Sequence, residues 1–291
     1  MSYFDIETNI FTAASSKPIL LAHKRSLSHP EGYFMHLNDH VELYVFIDGK
    51  ADYVVEGQCM PLSRGDIIVI LPHEIHVPVL HSECDYERFY MLIPTDALAH
   101  LGIDVTEEYR GGAHKISLPP REREDFLRLL YRISELGTAE DTVGRRLEKL
   151  GLFLQLQGML LSVDPTQEEE HDVLFSADFP QLLRDVLRHI TLYAADLRAI
   201  SEIAAAFYIT PEYLSSLFKR HVGVNISDYL RMKKIALAKE CLERGRSVTE
   251  VSYACGFSDT SYFIRIFRRT VGMTPKQYQS AVLTLRPQES S

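Results

Sequence analysis

Near its C-terminal end the chain says almost the same thing twice. The stretch SEIAAAFYITPEYLSSLFKRHVG (residues 201–223) aligns with TEVSYACGFSDTSYFIRIFRRTVG (residues 249–272), at an offset of 48 that becomes 49 after one inserted residue. Such a repeat restricts the fold more than composition does, because both copies must build the same supersecondary unit. Each copy reads as a short helix, a turn and a second helix opened by a capping residue. Thr210 followed by Pro211 suits the N-cap and first turn of one second helix, and Asp259 suits the N-cap of the other. Ser247 with Glu250 forms a capping-box signature ahead of the second copy's leading helix. Leu214, Leu217 and Phe218 correspond to Phe263, Ile266 and Phe267, one apolar face at i, i+3, i+4 spacing. The opposite face carries Glu212, Ser215, Ser216 and Lys219 in one copy, and Ser261, Ile264, Arg265 and Arg268 in the other.

A helix–turn–helix pair places its second helix in the major groove of B-DNA, where exposed N-terminal residues reach base edges. Between the copies, SDYLRMKKIALAKECLERG has a cap candidate in Ser227, no interior Gly or Pro, and a stop in Gly245. A continuous helix there would hold two units rigidly. If both face one side of a duplex, their recognition helices sit about 34 Å apart.

Charge divides the chain in the same place. From Ser176 onward there are 16 Lys/Arg against 11 Asp/Glu, whereas the residues before it hold 15 and 29. A basic portion joined to a strongly acidic one points to one nucleic-acid-facing part and one that is not. The run SVDPTQEEEHD between them reads as a solvated linker. Four widely spaced cysteines without ligand-like pairing fit free thiols in a reducing compartment. The first twenty residues carry Asp5 and Glu7 and no basic start followed by an apolar core, and no apolar run approaches the roughly 20 residues of a membrane span. A cytoplasmic protein without membrane contact is expected.

Residues 178–280 resemble the DNA-binding domain of the AraC/XylS transcriptional regulators. The resemblance is carried by YLSSLFKRHVG, SDYLRMKKIALAKECL, VTEVSYACGFSDTSYFIRIFRRTVGMTPKQY and the terminal Gly272-x-Thr274-Pro275. It implies two helix–turn–helix units on a linker helix that read asymmetric half-sites as a dimer. Carried over position by position, it implies base contacts from Glu212, Ser215, Ser216, Thr260, Ser261, Ile264 and Arg265. Arg265 is the guanine reader, since a guanidinium bonds O6 and N7 together. Lys219, Arg220, Arg268 and Arg269 are assigned to phosphates, which position without specifying. The family often has a basic residue where Ser216 stands and a linker-helix Arg where Lys233 or Lys234 stands. The first unit is therefore expected to read fewer bases.

The N-terminal part alternates like strands from residue 18 to about 95, with breaks at Asp48-Gly49, Glu56-Gly57 and Arg64-Gly65-Asp66. Short strands at that spacing predict an antiparallel barrel or jelly roll. The run from Gly65 to His76 resembles a cupin barrel, the usual sensor of sugar-responsive regulators of this kind. Metal-binding cupins follow a spaced pattern that His36, Glu42 and His76 fit; Asn38 stands in the second His slot. His36, Asn38, His40 and Glu42 share strand parity and could project to one face. Two imidazoles and a carboxylate can hold Zn, Mn, Ni or Fe with open positions, and the same groups can bind a hydroxylated ligand without metal. Arg25, Tyr44 and Phe46 complete the pocket candidates.

Two amphipathic helices follow, REREDFLRLLYRISEL and TVGRRLEKLGLFLQLQGMLLSV. The second is apolar over a face wide enough to ask for a partner, and the resemblance implies a homodimer there. The expected fold class is thus α+β multidomain: a cupin (jelly-roll) barrel over residues 1–120, a helical dimerisation segment over 121–164, a linker over 165–177, and an all-α double helix–turn–helix domain over 178–291. The expected function is a non-enzymatic, ligand-responsive, sequence-specific regulator, of carbohydrate metabolism by the resemblance. Its expected partners are double-stranded DNA, a sugar-like effector, a second copy and RNA polymerase. The contrasting reading is a metal-dependent cupin enzyme of isomerase or dioxygenase type fused to a DNA-binding domain.

Overall fold

The computed structural model describes residues 3–12, 17–29, 33, 36–163, 180–222 and 224–285. The expected linker at 165–177 lies outside these. The N-terminal half is built from β1 (Phe4–Phe11), β2 (Ile19–Ser28), β3 (His40–Asp48), β4 (Ala51–Val55), β5 (Gln58–Pro61), β6 (Ile67–Ile70), β7 (His76–Leu80), β8 (Cys84–Pro94) and β9 (Lys115–Ile116). One sheet runs β1-β2-β8-β3-β6-β9 and the other β5-β4-β7, with every pairing antiparallel. The breaks expected at Asp48-Gly49, Glu56-Gly57 and Arg64-Gly65 are the turns between β3 and β4, β4 and β5, and β5 and β6. The strand β1 escaped the sequence reading: its alternate Asp5, Glu7 and Asn9 weaken the apolar signal of an edge strand that buries only Thr8 and Ile10.

Strand alternation gives the larger sheet two different faces. Cross-strand partners Tyr44–Tyr90, Phe46–Arg88 and Ser26–Tyr86 share one face, which looks toward the smaller sheet. There Tyr44, Phe46, Tyr53, Val55, Met60, Ile68, Ile70 and Tyr86 fill the barrel. Leu21, Leu43, Val45, Phe89 and Met91 share the other face and pack beneath two helices, α2 (Pro120–Gly137) and α3 (Val143–Leu161). A short α1 (Val105–Tyr109) precedes them, capped by the Asp104 carboxylate.

The C-terminal half comprises α4 (Gln181–Tyr193), α5 (Ile200–Ala206), α6 (Pro211–Val222), α7 (Ile226–Glu243), α8 (Val248–Ala254), α9 (Thr260–Val271) and α10 (Pro275–Leu285). The repeat is realised as α5–α6 and α8–α9, with α7 between them. The caps are as expected at Asp259, whose carboxylate accepts from the Tyr262 amide at 2.6 Å, and at Ser247 and Glu250, which form the reciprocal box. Helix α7 begins earlier than the Ser227 cap predicts, with Asn225 at the N-cap and Ile226, fully buried, already inside. Apolar contact with the first unit outweighs the hydroxyl cap.

The two halves touch extensively. Val54, Cys59, Ile75 and Val77 on the outer face of the smaller sheet join one core with Leu183, Val186, Leu187 and Ile190 of α4 and with the first repeat unit. The second unit has its own core around Phe263, Ile266 and Phe267. Cys59, Cys84, Cys241 and Cys255 are all free thiols. Among the described residues no helix is long and apolar enough to cross a membrane.

Candidate functional site

The helical domain sorts its side chains as amphipathic spacing requires. Leu214, Phe218 and Val222 of α6, and Phe263, Ile266 and Phe267 of α9, are buried. Glu212, Ser216, Lys219, Arg220, Ser261, Arg265, Arg268 and Arg269 lie on the open side of these two helices, all of them exposed. The Arg265 guanidinium lies 5.4 Å from the centre of the Tyr262 ring, which narrows its rotamer choice before any ligand arrives. Three expected contacts are presented less fully. Ser215 is half-buried and donates its hydroxyl to the Pro211 carbonyl at 2.7 Å, leaving only lone pairs to offer. Thr260 is half-buried in the first turn of α9, and Ile264 packs partly against the second core. Lys233 and Lys234 are buried: Lys233 pairs with Glu56 of the barrel, and Lys234 donates to the Gly256 carbonyl at 2.8 Å.

Tyr208 was not singled out from sequence. It is 97 % exposed and holds φ = +56° in the turn of the first unit. The repeat carried the signal, since Tyr208 aligns with Gly256, whose φ is +72°. A tyrosine accepting a conformation that glycine adopts freely costs on the order of 1–2 kcal/mol.

In the barrel, His36 and His76 face each other across an isolated antiparallel bridge. The His76 Nδ1 lies 2.9 Å from the Glu74 carbonyl, and that carbonyl can only accept. Nδ1 therefore carries a proton, and Nε2 faces His36 Nε2 at 3.1 Å and Glu42 Oε2 at 3.3 Å, where bonding to the carboxylate takes a second proton and ligation of a metal takes the lone pair. Glu42 and His76 are buried and His36 is exposed. Burial pushes the His76 imidazole toward neutrality, but the hydrogen bond and charge of Glu42 outweigh it, and its pKa is raised. Asn38 donates to Glu42 Oε2 at 2.8 Å, so it orients the carboxylate. Tyr44 stands one strand repeat further along the same face, bonded to the Tyr86 hydroxyl.

This donor set fits a divalent transition metal. The three ligand atoms lie within 4.8 Å of one another. Bonds of about 2.0–2.1 Å at tetrahedral angles set two donors roughly 3.3 Å apart, close to the spacings found here. Such an ion would act as a Lewis acid toward an oxygen ligand.

Two pocket candidates lie elsewhere. Arg25 pairs with Glu87 at 3.0 Å and Asp85 at 3.3 Å on the opposite face of the sheet, in a cleft of about 560 Å³ shared with Arg64 and Tyr131. Strand parity separates it from Glu42. His40 stays outside the cluster; its Nδ1 is buried without a partner, and burial and then Lys17 lower its pKa. The cationic group inside the barrel is instead Arg88, 4.6 Å from the Tyr86 ring and bonded to Ser26 at 3.3 Å. Its parity with Tyr86 and Tyr90 on β8 was legible.

Two family models match the chain: a helix-turn-helix domain over residues 203–281 and an AraC-like ligand binding domain over residues 27–157. The uncharacterized HTH-type transcriptional regulator YpdC of Escherichia coli K12 is 40% identical over 250 residues, 83% of this chain and 82% of that one. The probable transcriptional regulator LumQ of Photobacterium leiognathi is 33% identical over 245 residues, covering 84% and 91%. The uncharacterized HTH-type transcriptional regulator YijO of E. coli K12 is 32% identical over 160 residues, 48% of this chain. That shared segment spans 56% of YijO, about half its length.

Proposed function

The chain belongs to the AraC family of helix-turn-helix transcriptional regulators, and from that premise we propose that it binds DNA sequence-selectively under control of a small molecule held in its barrel. One observation carries the reading: both second helices bury their apolar faces and leave a polar and basic face exposed. The barrel half supports an effector that is small and hydroxylated, sugar-like in chemistry. Tyrosine hydroxyls, Ser26, Asn38, Glu42 and Arg88 supply donors and acceptors, and the rings of Tyr44, Tyr53 and Tyr86 supply flat apolar faces. The test is binding to DNA upstream of its own and neighbouring genes, with and without a panel of sugars. Selective binding that a sugar alters supports the reading, and uniform, salt-controlled binding to all sequences sinks it.

The fit of His36, Glu42 and His76 to a divalent ion favours a second component, a metal within the effector site. Protein purified in zinc- or nickel-supplemented medium is then expected to hold about one ion per chain, and His76→Asn to lower its affinity about tenfold or more. Elemental analysis checks this. Metal with turnover of a sugar would move the assignment to the cupin enzyme.

Helix α3 supports a homodimer. Val143, Leu147, Leu154 and Leu161 are exposed, and from Leu147 onward the spacing is seven residues, which lines them up as one apolar stripe that a second copy would cover. Contact of the bound dimer with RNA polymerase belongs to the same reading. Leu147→Asp with Leu154→Asp is expected to shift the dimer to monomers by about tenfold in dissociation constant, read by sedimentation. A monomeric wild type, or an unaffected variant, places the interface elsewhere.

A further inference from the structure

Two turns of the barrel break a local backbone rule, and both reach into the helical domain. Among the described residues the non-glycine positions with positive φ are Glu56 (+50°), His73 (+69°) and Tyr208 (+56°). Glu56 opens the two-residue turn between β4 and β5, where both central residues need positive φ and Asn or Gly is the usual occupant. Its carboxylate pairs with Lys233 of α7 and accepts from the Ile75 amide at 2.7 Å. Its neighbour Gly57 (φ +85°) lies so close to α4 that a Cβ there would sit 2.5 Å from Leu187 Cβ. His73 is buried with Nε2 2.8 Å from Glu243 and Nδ1 3.4 Å from Asp39. Asp39 also pairs with Lys239, and Tyr278 of α10 donates to Glu243. Strained residues persist where surrounding structure gains from them, and here the gain is contact with α7.

The same segments hold the His36–Glu42–His76 cluster. The His73 amide donates to the Asn38 carbonyl at 2.9 Å, while the Asn38 side chain donates to Glu42 and accepts from the His40 amide at 3.2 Å. Asp39 is the next residue. Asn38 thus has its side chain on the barrel site and its backbone in the turn that grips α7. We propose that Asn38 is a positioning residue that joins the two: an occupant drawing on Glu42 loosens or tightens the grip of Asp39 and His73 on Lys239 and Glu243. An interface that is packed and ion-paired responds in discrete steps, so a small shift at Asn38 can move a whole helix domain. This rests on the reading that the barrel takes an effector.

Lysine reactivity reads the joint in the full-length protein. Lys239 and Lys233 are 2 % and 7 % exposed, whereas Lys219 on α6 is exposed. An amine-reactive acetylating reagent, followed site by site by mass spectrometry, is expected to modify Lys239 about tenfold more slowly than Lys219 in the wild type. Asn38→Ala and the near-isosteric Glu42→Gln should each raise Lys239 reactivity several-fold. Lys149, buried between α3 and the Asn9 carbonyl, should not change and so reports an intact barrel. Asn38→Ala added to Asp39→Asn should add little, because both act on one path. Unchanged Lys239 reactivity in both single variants, or a wild-type Lys239 as reactive as Lys219, overturns the proposal. If Asn38→Ala also exposes Lys149, Glu42→Gln alone decides: raised Lys239 reactivity upholds the joint and unchanged reactivity removes it. Selective DNA binding by the same wild-type sample tests the regulator reading separately: selectivity with unmoved lysines removes the joint alone.

Discussion

Replacing Phe267 by alanine is expected to destabilise the second helix–turn–helix unit by about 3–5 kcal/mol. Phe267 is fully buried, with ring centroids 5.7 Å from both Phe263 and Tyr278. The loss combines the transfer free energy of the ring with the cavity that neighbours in a small core cannot fill. Ile235, Leu242, Val251, Cys255, Ile266 and Tyr278 come from helices fixed by their own caps and turns, so collapse around a missing ring is restricted. Native domains are held by only about 5–15 kcal/mol in total, so this single change removes a large share. The melting temperature of the helical domain should fall by roughly 10–30 °C, followed by far-ultraviolet circular dichroism. A cost below about 1 kcal/mol would mean that the ring is not the centre of that core. DNA binding should be lost with the fold, so the thermal measurement has to come first.

Arg265→Ala should leave the fold intact and remove discrimination at one or two base pairs, at about 1–3 kcal/mol. Arg265 is exposed in the second turn of α9, on the face opposite Phe263 and Phe267. A guanidinium steadied by the Tyr262 ring can present two parallel donors, the pattern that matches guanine O6 and N7. Arg268 and Arg269 follow in the last turn, where an exposed cation meets backbone phosphates more readily than base edges. Their alanine variants should weaken binding about equally on every sequence and lower the dependence of log affinity on log salt by roughly one each. A set of duplexes varied one base pair at a time separates the cases. Uniform weakening by Arg265→Ala would reassign it to phosphate.

Legibility in the sequence followed the range of the interactions concerned. The two helix–turn–helix units were readable because caps, turns and i, i+3, i+4 faces act within a dozen residues. The Asp259 cap, the Ser247–Glu250 box and the buried Phe263, Ile266 and Phe267 all appear where the sequence places them. The His36, Glu42 and His76 set came from the spaced pattern that the cupin resemblance implies, whereas strand parity alone also admitted His40, which stays outside the cluster. Arg25 shows the limit of that argument. Its own strand alternates as expected, but which face meets Glu42 depends on the register of β2 against β8 and of β8 against β3. A single step of register reverses the answer.

The sequence by itself determined the repeat, the acidic and basic halves, the turn positions and the apolar stripes, because each is decided by neighbours close along the chain. The tertiary structure alone decided which buried charges meet. Lys233 with Glu56, Lys239 with Asp39 and His73 with Glu243 are separated by 177, 200 and 170 residues. No local pattern marks either partner of such a pair. A lysine in α7 reads as a solvated charge until the barrel brings a carboxylate against it and covers the lysine itself.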